Sequence, residues 1–371
     1  MKVMIAAGGT GGHVNPALAV AGEIRKKYPD AEIRFVGTAD RIEAQIVPEA
    51  GFELDTIEIS GFKRSFSPAA IKANIKTVQR VLKSSGAVKK ILADFKPDVV
   101  VGFGGYVSGP VVRMAAKKGI PTAIHEQNAY PGVTNKALAD KVDTVMLTVE
   151  AASKHLSCKN PPVVTGLPVR GELLEADGAV SRRELGFDEK PIVLCMGGSL
   201  GARAINEAIT DVVIKKYNDG TCNFIIATGK YGLWVFDKLK EAGIDPDNTP
   251  GLQVREYIND MARCLSAADL VICRAGASSL SEFEALGKPS VLIPSPNVTE
   301  NHQFHNAMAL VDNGAAEIIE EKDLNGEVLK EKIEKLIADP AGLKQIGENA
   351  RKMAYLNATE DICEKIVSLL K

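Results

Sequence analysis

What this sequence lacks narrows it first. Its six cysteines stand singly, with no Cys-x-x-Cys pair and no cysteine–histidine cluster. That argues against structural zinc and for a reducing cytoplasm. The uncharged stretch Val99–Val112 is cut by five glycines and prolines, and it falls short of the ~20 apolar residues that span a bilayer. Met1–Lys2–Val3 passes straight into an apolar segment that ends at Gly8, so no leader is expected.

Two nucleotide signatures are also missing. In "GGTGGHV" the dinucleotide fingerprint Gly-x-Gly-x-x-Gly fails, because from Gly9 and Gly11 the third position is Val14. "ATGKYG", residues 227–232, is superficially like a phosphate P-loop, but Tyr231 follows Lys230 where Ser or Thr is needed. A nicotinamide enzyme and a P-loop NTPase are thereby set aside.

Acids are missing from one segment. Residues 61–93 carry eight Lys/Arg and no Asp or Glu. Ser67–Pro68 reads as N-cap and first helical residue. Ile71, Ile75, Val78 and Leu82 then form an apolar stripe beside Lys72, Lys76, Arg80 and Lys83, with Phe62 and Phe66 just ahead. A basic amphipathic helix flanked by aromatics predicts an element that lies on an anionic membrane surface. An ordinary surface helix explains the stripe but not the missing acids. Nucleic acid is not expected, since no binding motif accompanies the charge.

The 371 residues suffice for two domains. Net charge is −2, but residues 1–165 hold 22 Lys/Arg against 15 Asp/Glu, and residues 166–371 hold 23 against 32. A basic half and an acidic half suggest different partners; chance asymmetry is the plainer alternative.

Short apolar runs alternate with amphipathic helical stretches from end to end. "KVMIAAG", "EIRFVGT", "PDVVVGFGG", "IPTAIHEQ", "DTVMLT", "PIVLCMGG", "NFIIATG", "ADLVICRAG" and "KPSVLIPSP" read as strands. Each is rich in Val, Ile or Leu without polar alternation, as in parallel strands buried on both faces. The chain also echoes itself: "KVMIAAGGTGGHVNPALA" answers "PIVLCMGGSLGARAINEA", and "PDVVVGFGGYVSGP" answers "ADLVICRAGASSLSE". The predicted class is α/β, with two doubly wound Rossmann-like domains whose parallel sheets face a cleft. The domains are placed at 1–165 and 166–352, with 353–371 as a final helix that returns to the first. The boundary falls in "NPPVVTGLPVR".

Bare glycine amides followed by a helix N-terminus favour anions. Glu282 lies one to two turns into the helix that opens after "RAGASS". There it could accept bonds from two ribose hydroxyls, or it could be a solvated surface acid. His302, Gln303, His305 and Asn306 crowd a polar stretch suited to sugar hydroxyls. No acid completes a metal set with the two histidines, and "DPD" at 245–247 reads as a turn. In "HEQNAYPG", His125 and Glu126 point opposite ways in extended backbone.

Taken together, "GGTGGHVNPALA", "GFGGYVSGP", "HEQNAYPG", "TGLPVR", "MGGSLGARAIN", "YINDM", "CRAGASSLSE" and "NHQFHNA" resemble a known family over nearly the whole chain. It is the bacterial N-acetylglucosaminyltransferases of the MurG type, which convert lipid I to lipid II in peptidoglycan synthesis at the cytoplasmic face of the cell membrane. The resemblance implies a B-type glycosyltransferase fold that needs no catalytic metal or cofactor. The implied substrates are UDP-N-acetylglucosamine and lipid I. On the donor side it implies Glu282 for the ribose, the backbone at Ile258 for the uracil, and Ser199 with Ala277, Ser278, Ser279, Leu280 and Ser281 for the diphosphate. Gln303 and Asn306 would read the sugar, and Thr10, Gly11, Gly12, Asn128 and Arg170 are further donor positions. The lipid diphosphate would meet Gly8, Gly9, Gly104, Gly105, Tyr106 and Ser108. "NHQ" puts His302 where some members have a second glutamine. For the base that takes the acceptor's proton, His13 is the first candidate, with Glu126 and His125 as alternatives. His13 could instead cap the helix or bind the acceptor.

Overall fold

The computed structural model describes residues 1–59, 84–216 and 220–370. The chain divides into two units, Met1–Pro168 with Tyr355–Lys371, and Val169–Ala354. Phe62, Phe66, Lys72, Lys76, Arg80 and Lys83 lie outside the described residues. Among the described residues no helix is long and apolar enough to cross a membrane.

Among the described residues the first unit is built on seven strands: β1 (Lys2–Ala7), β2 (Glu32–Gly37), β3 (Glu53–Thr56), β4 (Val99–Gly104), β5 (Thr122–Glu126), β6 (Thr144–Leu147) and β7 (Val163–Val164). All pair in parallel, in the order β3-β2-β1-β4-β5-β6-β7. Val3 of β1 sits opposite Ile33 on one side and Val99 on the other. Alternation along β1 explains the double winding. Val3, Ile5 and Ala7 pack with Val14, Val20 and Ile24 of the Gly11–Lys27 helix and with Ile362 and Ile366 of the Ala358–Ser368 helix. Met4 and Ala6 face the other way, onto Val88 and Leu92 and onto Val111, Val112 and Ala115 of the Ser108–Lys117 helix. Fully burying such a side chain stabilises the fold by about 1.5–3 kcal/mol.

The second unit repeats the design with β8 (Ile192–Met196), β9 (Asn223–Ala227), β10 (Leu252–Arg255), β11 (Leu270–Cys273), β12 (Ser290–Leu292) and β13 (Glu317–Ile318). The order is β10-β9-β8-β11-β12-β13, again all parallel. Val193 and Cys195 pack on Ile205, Ile209 and Val212 of the Arg203–Lys216 helix. Ile192 and Leu194 pack on Leu265 and on Leu280 and Phe283.

In both sheets the winding reverses once, between β1 and β4 and between β8 and β11. Ligands of doubly wound sheets bind beyond the carboxyl ends of the strands at that reversal. The loops leaving these four strands are "GGTGGH", "GYVSG", "GGSLGA" and "RAGASS", which are the glycine loops of the internal repeat.

Candidate functional site

In the first unit the two glycine loops lie backbone against backbone. A Cβ on Gly105 (φ +78) would stand 2.2 Å from the Gly8 oxygen, so only glycine fits. The Gly11–Lys27 helix starts at Thr10, whose backbone is extended (φ −142) and whose hydroxyl makes no capping bond. The amides of Gly11 and Gly12 therefore keep the unfilled donor capacity of a helix N-terminus, which suits an anion. His13 follows in the same turn. Its Nδ1 lies 2.9 Å from Gln127 Oε1, and its ring packs on bare backbone: a Cβ on Gly104 (φ +103) would stand 2.7 Å from Nδ1. His13 Nε2 has no partner among the described residues.

Several expected contacts are corrected by this geometry. The Gly9 amide donates to Glu43 Oε2 at 3.0 Å, and buried Glu43 also accepts from Thr38 N (3.0 Å) and Thr38 Oγ1 (2.7 Å). That amide faces the interior, not a ligand. Ser108 is fully buried; its hydroxyl accepts from Gly104 N at 3.1 Å and reaches the carbonyls of Ala6 and Gly104 at 2.7 Å. Ser108 and the Gly104 amide thus close the end of the sheet. Gly8 is buried, and a Cβ there would strike Glu43. Of that loop set, Gly9 and Tyr106 are exposed and Gly105 is half-buried.

The alternative bases are corrected as well. Glu126 is buried and accepts four hydrogen bonds, from Asn128 N (2.9 Å), Asn128 Nδ2 (3.2 Å), Gly132 N (3.0 Å) and Asn135 Nδ2 (2.8 Å). It holds the "HEQNAYPG" loop closed, with no lone pair left for an acceptor's proton. His125 is fully buried, with Nε2 on the Gly166 oxygen at 2.9 Å and Nδ1 facing Gln127 Nε2 at 3.1 Å. Asn128 stays half-buried on the same loop.

Burial pushes the His125 imidazole down to about 4. Between about pH 6.5 and 4 the unfolded chain binds a proton that the folded chain refuses, so stability falls as pH falls through that window. The loss approaches about 3 kcal/mol for a shift of this size. Hydrogen exchange at β5, corrected for its intrinsic pH dependence, is expected to show an excess loss of protection as pH drops from 7 to 4.5. The His125→Asn variant should lose that excess; an unchanged excess would refute the cause.

In the second unit "ATGKYG" buttresses "GGSLGA". A Cβ on Gly229 (φ +70) would stand 2.0 Å from Gly201 N. Lys230 N donates to Ser199 O at 3.1 Å and Tyr231 N to Leu200 O at 3.0 Å. The lysine loop that is superficially P-loop-like is thus a support, and Ser199 is held exposed on top of it. The Ala277–Leu286 helix begins after extended Gly276, without a side-chain cap. Leu280 N already bonds Gly276 O, and Leu280 and Ser281 are buried. The anion-favouring end therefore narrows to Ala277, Ser278 and Ser279.

Glu282 is largely buried and accepts from Arg170 Nε at 2.9 Å. Burial raises its pKa, against the pull of the Arg170 guanidinium. Ile258 is buried in the core beside Cys264 and Leu265. Gln303 Oε1 accepts from Ser295 N at 2.9 Å, which turns Nε2 outward from that bond. Asn306 is buried, with Nδ2 donating to Ala275 O at 3.2 Å. His302 Nδ1 donates to Thr299 O at 2.8 Å. The chain enters this helix through Glu300 (φ +55) and Asn301 (φ +50). Two successive left-handed non-glycine residues cost free energy and set the direction in which His302 and Gln303 leave. "DPD" is a turn closed by Asp245, which accepts from Asp247 N (3.0 Å) and Asn248 Nδ2 (2.8 Å).

Two buried residues escaped the sequence reading. Glu43 gives no local signal, because its partner Gly9 is 34 positions away. Gln127 sits inside the quoted "HEQN" but was overshadowed by its charged neighbours.

The comparisons with known proteins cover the chain from end to end. Residues 3–147 match the model of the glycosyltransferase family 28 N-terminal domain, and residues 192–364 that of its C-terminal domain. A protein of Acetivibrio thermocellus is 43% identical over 100% of this chain and 99% of its own length; one of Ruminiclostridium cellulolyticum is 45% identical over the same shares. Both are named UDP-N-acetylglucosamine--N-acetylmuramyl-(pentapeptide) pyrophosphoryl-undecaprenol N-acetylglucosamine transferase. The crystal structure of Acinetobacter baumannii MurG superposes with a TM-score of 0.79 at 30% identity, over 99% of each chain.

Proposed function

The chain belongs to glycosyltransferase family 28, and from that premise we propose the reaction it performs and the residues that perform it. It transfers N-acetylglucosamine from UDP-N-acetylglucosamine to the C4 hydroxyl of the muramyl sugar of lipid I, giving lipid II for peptidoglycan. The observation that carries this reading is the doubled arrangement of glycine loops and uncapped helix N-termini at the reversal point of each sheet. A reaction with a nucleoside diphosphate on one substrate and a lipid diphosphate on the other calls for two such anion-favouring ends. The near-full-length likeness to transferases of that name supports it.

The chemistry follows from the groups available. The muramyl hydroxyl attacks the anomeric carbon, its proton passes to His13 Nε2, and UDP leaves with inversion. The departing diphosphate gathers charge at the amides of Ala277, Ser278 and Ser279, with Ser199 beside them, so no cation or other cofactor is required in this reading. Glu282 takes the ribose hydroxyls, and Gln303 Nε2 with Asn306 the sugar. An acceptor-free assay tests this against the chemistry of an epimerase. UDP-N-acetylglucosamine incubated alone is expected to stay intact and to release UDP only when a lipid I analogue is added. Conversion without acceptor would overturn it.

The basic segment 61–93 adds a peripheral hold on the anionic cytoplasmic face of the cell membrane. Each basic residue near such a surface contributes about 1 kcal/mol. Replacing Lys72, Lys76, Arg80 and Lys83 by glutamine should weaken binding to anionic vesicles by roughly two to three orders of magnitude at low salt. High salt should do the same to the parent protein. Undiminished vesicle binding by the variant would remove the segment from this role.

A further inference from the structure

One hydrogen-bonded line in the first unit ends at His13, and three backbone carbonyls fix its tautomers and its amide orientation. The Gly166 oxygen can only accept, so His125 Nε2, 2.9 Å away, carries a proton. His125 Nδ1 is then the bare nitrogen, and it accepts from Gln127 Nε2 at 3.1 Å. The Phe103 oxygen at 2.9 Å and the His125 oxygen at 3.0 Å from the same Gln127 nitrogen fix that end of the amide as NH₂, whose two hydrogens these two oxygens and His125 Nδ1 share. Gln127 Oε1 therefore faces His13 Nδ1 at 2.9 Å and can only accept. His13 Nδ1 must hold the ring proton, and Nε2 the lone pair.

Packing leaves this line no other arrangement. Gln127 is 3% exposed and His125 is not exposed at all. The Phe103 ring stacks on His125 with centroids 5.6 Å apart. Only the bare backbone of Gly104 leaves room for the His13 ring.

We propose that Gln127 is a positioning residue for the transfer reaction: it holds His13 in the Nδ1–H tautomer, with Nε2 bare toward the proton of the acceptor hydroxyl. The proposal rests on the reading of His13 as the base. A glutamine that merely closed the loop would matter to stability and not to which ring nitrogen is protonated.

The test uses the full-length protein labelled with ¹⁵N-histidine. Side-chain nitrogen spectra are recorded at about pH 8, where free imidazoles are neutral, and His13→Gln assigns the His13 signals among the five histidines. kcat and both KM values are measured for the parent, His13→Gln and Gln127→Met. The parent is expected to show His13 protonated on Nδ1. Gln127→Met should lose that preference and lose about 10- to 100-fold in kcat, with both KM values within about twofold. A parent spectrum with the proton on His13 Nε2 overturns the proposal even if the variant fails to fold. So does a Gln127→Met protein with the parent's tautomer or the parent's kcat, provided His13→Gln is impaired. If His13→Gln keeps the parent's kcat, the base assignment itself falls, and the positioning role falls with it for a separate, visible reason.

Discussion

His13→Gln is expected to lower kcat by about 10²- to 10⁴-fold, the usual worth of a positioned general base. The KM values for donor and acceptor should stay within about twofold, because the imidazole enters through proton transfer and not through ground-state binding. Steady-state rates on a lipid I analogue measure both. The geometry behind the expectation is specific. His13 stands in the first turn of the Gly11–Lys27 helix, with Nδ1 occupied by Gln127 and Nε2 without a partner among the described residues. Glu126 and His125 are buried and fully bonded. A rise in KM with kcat intact would instead make His13 an acceptor-binding residue.

Glu282→Ala is expected to raise the donor KM by about 100-fold while leaving the acceptor KM within about twofold, since each hydrogen bond to a charged group is worth about 1.5–3 kcal/mol. The substitution also releases Arg170, whose Nε donates to Glu282 Oε1 at 2.9 Å. Titration with UDP and with its 2′-deoxy analogue separates the two roles. If Glu282 reads the ribose, the parent discriminates between them and the variant does not. Equal discrimination by both proteins would reduce Glu282 to a partner for Arg170.

The interior of each sheet was legible from composition, and its edges were not. All nine strands read from the sequence form. The four others among the described residues, β3, β7, β10 and β13, are the outermost strand of each side of each sheet. The physical reason is burial. β4 reads "VVVGFG" and is buried throughout, whereas β3 reads "ELDT" with no fully buried position. An edge strand has a partner on one side only, so it carries no continuous apolar run.

The site divides in the same way. The glycine loops were legible because they repeat, and the repeat is the signature of two sheets with one reversal each. What each amide does was not legible. Gly9 and Gly11 look alike in "GGTGG", yet one amide is taken up by Glu43 from a distant helix and the other sits at an uncapped helix start. Likewise Leu280 and Ser281 share a motif with Ser278, and only the helical turn sends them into the core. Partnerships across dozens of residues leave no mark on local spacing.

The most direct measurement of the whole account is the structure of the product. UDP-N-acetylglucosamine and a lipid I analogue are incubated with the full chain, and the isolated product is examined by NMR. The account predicts a disaccharide joined through the muramyl O4 in the β configuration, opposite to the donor's α linkage, formed in step with one UDP per transfer. An α linkage, a different oxygen, or UDP release without disaccharide would contradict it.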